Sequence, residues 1–197
     1  MNDIQELFNS TAMMFDALDR FSVATTNREA ALQQVKALTP LQGKTVLDIG
    51  CGTGTWSQVL TQAGAVVSGI DFAENMISIA RKKHPSISFQ TLEADQINIL
   101  TDNAFDIVTA SFVLHDIPRP QRRNLLYHMK RVGKEWVILF DYGQLEIPFM
   151  PAFYEYFEGN RYKQFVEEIV DDLQEIFEDS QKLPLKKGGA LYYARCY

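Results

Sequence analysis

Three glycines at alternate positions, Gly50, Gly52 and Gly54, follow the short apolar run Val46, Leu47, Asp48, Ile49, and Thr55 and Trp56 come next. A backbone without Cβ atoms turns sharply and lets a ligand come close. A helix starting at Thr55 points its unpaired N–H groups back at that turn, where they favour an anion or a polar ligand group. The stretch therefore reads as a nucleotide-type binding turn between a buried strand and a helix. Its neighbours have to decide the ligand. A dinucleotide turn needs Gly-x-Gly-x-x-Gly; counted from Gly50, the sixth position is Thr55. Asp48 lies two residues before the first glycine. A carboxylate that close repels a pyrophosphate and suits a ligand with a positive group, such as an amino acid ammonium. The bland alternative for Asp48 is a turn or N-cap carboxylate.

Two further carboxylates follow strand-like runs. Asp71 ends the run 65–71 and can accept hydrogen bonds from both hydroxyls of a ribose; it also suits a helix N-cap. Asp95 follows a third run, where it can meet an adenine amino group or act as a plain turn residue. Phe72 can stack on a base or pack in the core. His115 has an unperturbed pKa suited to a general base, and a histidine that caps or packs is the alternative.

These residues need elements to hold them. Asn27 is expected to cap a helix over 28–38, which Pro40 and Gly43 end. Strands are expected at 46–49, 65–71, 87–92, 105–110 and 136–140, with helices at 55–63, 73–83 and from Pro118 to Val132 between them. Such alternation implies a parallel sheet with helices on both faces, an α/β Rossmann-like, doubly wound fold. Residues 4–18 carry helical spacing. Residues 142–160 are aromatic and irregular, a helix is expected over 161–170, and 173–178 with 190–196 read as a final strand pair. No repeat or linker divides the chain, so residues 1–197 are expected to form one domain, with a helical cap at 1–40 and a lid insertion at 142–170.

Composition narrows the setting. The 197 residues are 46% hydrophobic and 22% charged, with formal net charge -6. That is enough chain for one full core, and the acidic balance argues against gripping nucleic acid phosphates. The two cysteines, Cys51 and Cys196, argue against a disulfide framework. Acidic residues near Met1 and the lack of long apolar runs point to a cytoplasmic chain with no membrane partner.

Val46 to Gly54 resembles the first motif of class I S-adenosylmethionine-dependent methyltransferases of the small bacterial type. Asp71 matches that family's second acidic position, Glu93 to Gln96 its third motif, and Phe105 to Val108 its fourth strand. The resemblance implies a seven-stranded sheet of order 3-2-1-4-5-7-6 with strand 7 antiparallel. It also implies the cofactor S-adenosyl-L-methionine. Asp48 organises its methionine end, lined by Gly50, Cys51, Gly52 and Gly54. Asp71 holds the ribose, with Phe72, Asp95 and Gln96 at the adenine. The side chains of Cys51 and Trp56 read as packing. In the family, residues 110–116 pass beside the transferred methyl group, which brings in Ser111 and makes His115 the candidate base.

Residues 153–165 resemble a Glu-Gly-x-His-Tyr-x-x-Phe stretch of some small bacterial methyltransferases. Glu158, Gly159, Tyr162 and Phe165 match, and Arg161 stands where those often have His. The motif of enzymes that methylate exocyclic or amide nitrogens is absent. The expected activity is methyl transfer to a small-molecule acceptor. A protein that binds the cofactor or its product without catalysis is the second reading, and a nicotinamide-dependent dehydrogenase the third.

Overall fold

In the computed structural model, which describes residues 23–145 and 161–197, seven strands form one sheet. They are β1 (Thr45–Ile49), β2 (Val66–Asp71), β3 (Ser88–Thr91), β4 (Phe105–Ser111), β5 (Gly133–Tyr142), β6 (Ser180–Pro184) and β7 (Gly189–Arg195). Their order in space is β3-β2-β1-β4-β5-β7-β6. β1 runs parallel to both β2 and β4, and β7 runs antiparallel to β5 and β6. The helices are α1 (Val23–Leu38), α2 (Thr55–Gln62), α3 (Glu74–Lys83), α4 (Arg119–Val132) and α5 (Arg161–Ile176). The expected fold and strand order are both present.

Strand alternation sorts the core into two layers. Leu47 and Ile49 of β1 pack with Leu125, Met129, Phe165 and Ile169 on the α4 and α5 face. Val46 packs with Val35, Trp56 and Leu60 on the α1 and α2 face. Asp48 has the parity of Val46, so its carboxylate enters the second layer. The strand order reverses between β1 and β4. In doubly wound sheets ligands bind at such a switch point, outside the carboxyl ends of the strands. Gly50, Asp71 and Ser111 all stand at that edge.

Three expectations need correction. Asn27 does not cap a helix; α1 starts four residues earlier at Val23, and Asn27 is buried inside it. Its amide donates to the Val23 carbonyl at 3.0 Å and to the Lys186 carbonyl at 2.6 Å. A tertiary partner therefore offsets the poor helix propensity of Thr25, Thr26 and Asn27. Leu173 to Ile176 are not a strand. They continue α5, whose buried Phe165, Ile169, Asp172, Leu173 and Ile176 keep helical spacing. The strand of that final pair is β6, a mostly uncovered edge strand with Pro184 at its end, where no ladder bond is lost. β5 is longer than 136–140 at both ends. The expected helices over 4–18 and residues 146–160 of the expected lid lie outside the described residues.

Candidate cofactor and acceptor site

The glycine turn leaves β1 with Cys51 N–H still donating to the Ile70 carbonyl at 3.0 Å. Gly50, Gly52 and Gly54 have φ of 66, 52 and 83°, the left-handed region that favours glycine. Gly54 is the N-cap of α2, and no side chain caps that end. A Cβ built on Gly52 meets nothing within 4 Å among the described residues, which leave space in front of the turn there. Gly52 N–H itself donates to Asp71 Oδ2 at 2.9 Å. Asp71 Oδ1 accepts Ala73 N–H at 2.8 Å. Asp71 thus clamps the turn to the end of β2. Each of its oxygens has a second lone pair for a ribose hydroxyl. Burial pushes its carboxyl up from the ordinary value, against the lowering pull of those N–H groups.

Asp48 is fully buried. Ser57 Oγ–H donates to its Oδ2, and its Oδ1 has no hydrogen-bond partner among the described residues. Burial pushes this carboxyl up to about 7; Ser57 lowers it and the nearby Asp71 charge raises it. A fully buried carboxylate oxygen without a partner among the described residues is a poor arrangement for a protein alone. It fits a ligand that brings positive charge. The residues therefore suit a cofactor with an amino acid end and a ribose.

The other expected positions divide. Cys51 is in the turn, but its side chain is buried, with burial pushing the thiol up; only its backbone can face a ligand. Trp56 is buried as expected, its indole N–H donating to Thr109 Oγ1 at 3.2 Å. Phe72 is half-buried and packs with Ala73, Met76 and Ile79. Gln96 is drawn into a capping box, its Oε1 accepting Glu93 N–H at 3.2 Å. The Asp95 side chain lies outside the described ones. Ser111 is half-buried at the end of β4.

His115 lies just past β4 and is 4% exposed. Its Nδ1 is 2.7 Å from Asp141 Oδ1. Asp141 is the last residue but one of β5 and is buried. Its Oδ1 also accepts Tyr142 N–H at 2.8 Å, and its Oδ2 accepts Leu114 N–H at 3.2 Å. The ring sits among Tyr142, Phe112 and Phe165 at centroid distances of 4.8, 6.3 and 6.4 Å. It borders a cavity of about 190 Å³ that Arg119, Arg122, Arg161 and Glu168 also line. Sequence reasoning missed Ser57 and Asp141. For Asp141 a signal existed: it is the first charged residue after the apolar run Trp136–Phe140, at the carboxyl end of a strand beside β4.

A family model described as a methyltransferase domain matches residues 46–135. A demethylmenaquinone methyltransferase of Oceanobacillus iheyensis is 30% identical over 166 residues, covering 79% of this chain and 68% of that protein. The chain belongs to the class I S-adenosylmethionine-dependent methyltransferases. A ubiquinone biosynthesis O-methyltransferase of Coxiella burnetii is 38% identical over 111 residues, or 52% of this chain. The match spans about half the length of that relative, 46%. Two solved structures share the fold. A SAM-dependent methyltransferase from Aquifex aeolicus superposes with TM-score 0.70 at 21% identity, covering 94% of this chain and 98% of that one. Magnesium protoporphyrin IX methyltransferase from Synechocystis, with bound SAH, superposes with TM-score 0.69 at 20% identity, covering 98% of each. The cofactor of this methyltransferase family is S-adenosyl-L-methionine. Among the described residues no helix is long and apolar enough to cross a membrane.

Proposed function

We propose that this chain transfers the methyl group of S-adenosyl-L-methionine to a small-molecule acceptor. The observation that carries the reading is the fully buried Asp48, whose Oδ1 has no partner among the described residues, in the strand that leads into the left-handed glycine turn held by Asp71. When bound, the cofactor supplies a methyl group on a positively charged sulfur, so a lone pair of the acceptor takes the methyl and the C–S bonding pair stays with sulfur.

The chain's own residues bind and orient. Asp48 answers the ammonium charge, with Gly50, the Cys51 backbone, Gly52 and Gly54 lining that end. Asp71 receives the ribose hydroxyls. Phe72, Asp95 and Gln96 flank the adenine, and Ser111 and His115 stand on the acceptor side. His115 is the residue able to take an acceptor proton there. In this reading residues 1–197 form one domain, with 1–40 as a cap and 142–170 as a lid over the acceptor. The acidic net charge of -6 favours a small acceptor over nucleic acid. The relatives' names support a quinone-related acceptor. The free thiols of Cys51 and Cys196 support a cytoplasmic setting.

Calorimetric titration with S-adenosylmethionine and S-adenosylhomocysteine tests the reading. Wild type is expected to bind both. Asp71→Asn keeps the side-chain shape but offers only one acceptor oxygen. It is expected to lose about tenfold or more in affinity, the scale of one charged hydrogen bond. No binding by wild type, or full binding by Asp71→Asn, would sink the proposal. Tight binding with no methyl transfer across a broad acceptor panel would favour the non-catalytic reading.

A further inference from the structure

We propose that Ser57, the third residue of α2, is a positioning residue of the cofactor site: its hydroxyl holds Oδ2 of Asp48 and leaves Oδ1 as the oxygen that answers the cofactor's ammonium group. The proposal rests on the methyltransferase reading and adds to it a residue that acts through Asp48.

A serine inside a helix has an easier partner. Its hydroxyl can donate to the carbonyl four residues back on its own helix. Thr61, one turn further along α2, does so, donating to the Ser57 carbonyl at 2.9 Å. Ser57 instead reaches across to β1, nine residues back in the chain. It is fully buried, and a buried hydroxyl costs stability unless it is paired. Asp48 supplies the pair. Other contacts seat α2 on the sheet. Trp56 donates its indole N–H to Thr109 Oγ1 at 3.2 Å, and Thr109 stands beside Asp48 in the register of β1 and β4. Leu60 is buried in the same core layer as Val46. None of these contacts uses the Ser57 hydroxyl, which is left to act on Asp48.

The groups around Asp48 divide over its charge. Burial opposes ionisation, and so does the charge of Asp71 at the end of β2; the Ser57 hydroxyl and, more weakly, the Ser57 backbone N–H favour it. Cys51, in the turn, is held neutral by burial first and then by the charges of Asp48 and Asp71. Thr109 from β4 carries no charge. Ser57 thus supports a carboxylate in a fully buried place. Without the hydroxyl, Asp48 would keep its proton to a higher pH. A protonated Asp48 offers an ammonium no opposite charge. Loss of one hydroxyl from α2 should therefore reach the cofactor as a change in the pH at which the site becomes competent.

Calorimetric titration of wild type and Ser57→Ala with S-adenosylhomocysteine, at several pH values, tests this. Alanine favours the helix and leaves the Trp56 and Leu60 contacts in place. At pH 7 the variant is expected to bind about tenfold more weakly, the scale of one hydrogen bond to a charged group. At pH 8.5 the gap is expected to close to about threefold or less, because Asp48 is then largely ionised in both proteins. A loss of the same factor at both pH values would mark Ser57 as structural only and overturn the proposal, as would no loss at pH 7. A second comparison removes the charge. In the Asp48→Asn background, Ser57→Ala is expected to change affinity by less than about twofold, and full additivity of the two losses overturns the proposal. If the alanine variant does not fold, Ser57→Cys, whose thiol is a weaker donor, is held to the same outcomes. Failure of wild type to bind S-adenosylhomocysteine at any pH defeats instead the methyltransferase reading on which the proposal rests.

Discussion

Asp48 shows how a single side chain ties stability to binding. Its carboxyl is held at about 7 by burial, against about 4 in an unfolded chain. Between those values the folded protein keeps a proton that the unfolded chain has released. Stability therefore falls as pH rises from about 4 to about 7, by at most on the order of 4 kcal/mol, and the loss is complete above 7. A ligand ammonium prefers the ionised form. Affinity for S-adenosylhomocysteine is thus expected to rise between pH 6 and 7.5, with a proton released on binding. Calorimetry in two buffers of different ionisation enthalpy measures that proton; an affinity that falls over this range would contradict the argument. Asp48→Asn carries no charge to bury. At pH 7.5 it is expected to melt no lower than wild type, or a few degrees higher, while binding the cofactor product at least tenfold more weakly. The position of Asp48 before the glycines was legible in the sequence. Its partner Ser57 and its orphaned oxygen were not. They depend on which face of α2 lies over β1, and local spacing does not reveal that.

Elements of the site interlock at one contact. A Cβ on Gly50 would stand 2.4 Å from Val113 Cγ2, at a φ of +66°. Val113 belongs to the turn that follows β4 and leads into His115. In that turn Phe112 holds a φ of 54°, a costly conformation for an aromatic residue. It is kept there by its N–H bond to the Phe140 carbonyl at 2.8 Å and by ring contacts with Phe140 and Tyr142. Gly50→Ala must therefore move the histidine turn as well as the cofactor turn. Gly52→Ala has no such neighbour within 4 Å among the described residues. Both are expected to weaken cofactor binding about tenfold or more. Only Gly50→Ala should shift the His115 ring signals, and equal shifts in both variants would break the link. Most elements were legible because buried parallel strands read as apolar runs bounded by turn residues. Residues 173–178 misled because six residues sample less than two helical turns. Only with Phe165 and Ile169 does the period emerge. Asn27 misled because its partner carbonyl at Lys186 is 159 residues away.

At the scale of the molecule, one buried carboxylate joins the two helices on the far face of the sheet. Asp172 of α5 has no exposure. It accepts Arg119 Nε at 2.9 Å, Arg122 Nη2 at 3.0 Å and Arg123 Nη1 at 2.9 Å, all from α4. Glu168 and Glu175 take further bonds from Arg122 and Arg123, each at 2.6 Å. Three carboxylates thus meet three guanidinium groups across the helix contact. Burial alone would push the Asp172 carboxyl up, but the arginine hydrogen bonds outweigh it and hold it below the usual carboxylate range. This pairing spans 49 to 53 residues, and Asp172 lies past the helix expected over 161–170, so local spacing did not reveal it. Removing one member of a buried ion cluster leaves the others uncompensated and costs about 3–5 kcal/mol. Asp172→Ala is expected to lose about that much in urea unfolding near neutral pH. Because the folded carboxyl is depressed, its contribution is present above about pH 4 and disappears as pH falls further. The gap between wild type and Asp172→Asn should therefore narrow in acid, and a gap that widens there would refute the assignment. Arg119, Arg122 and Glu168 also line the cavity at His115, whereas the cofactor turn lies on β1 and β2. A folded Asp172→Ala protein should then keep its S-adenosylhomocysteine affinity within about twofold, and a larger loss would mean that the helix pair and the cofactor turn move as one body.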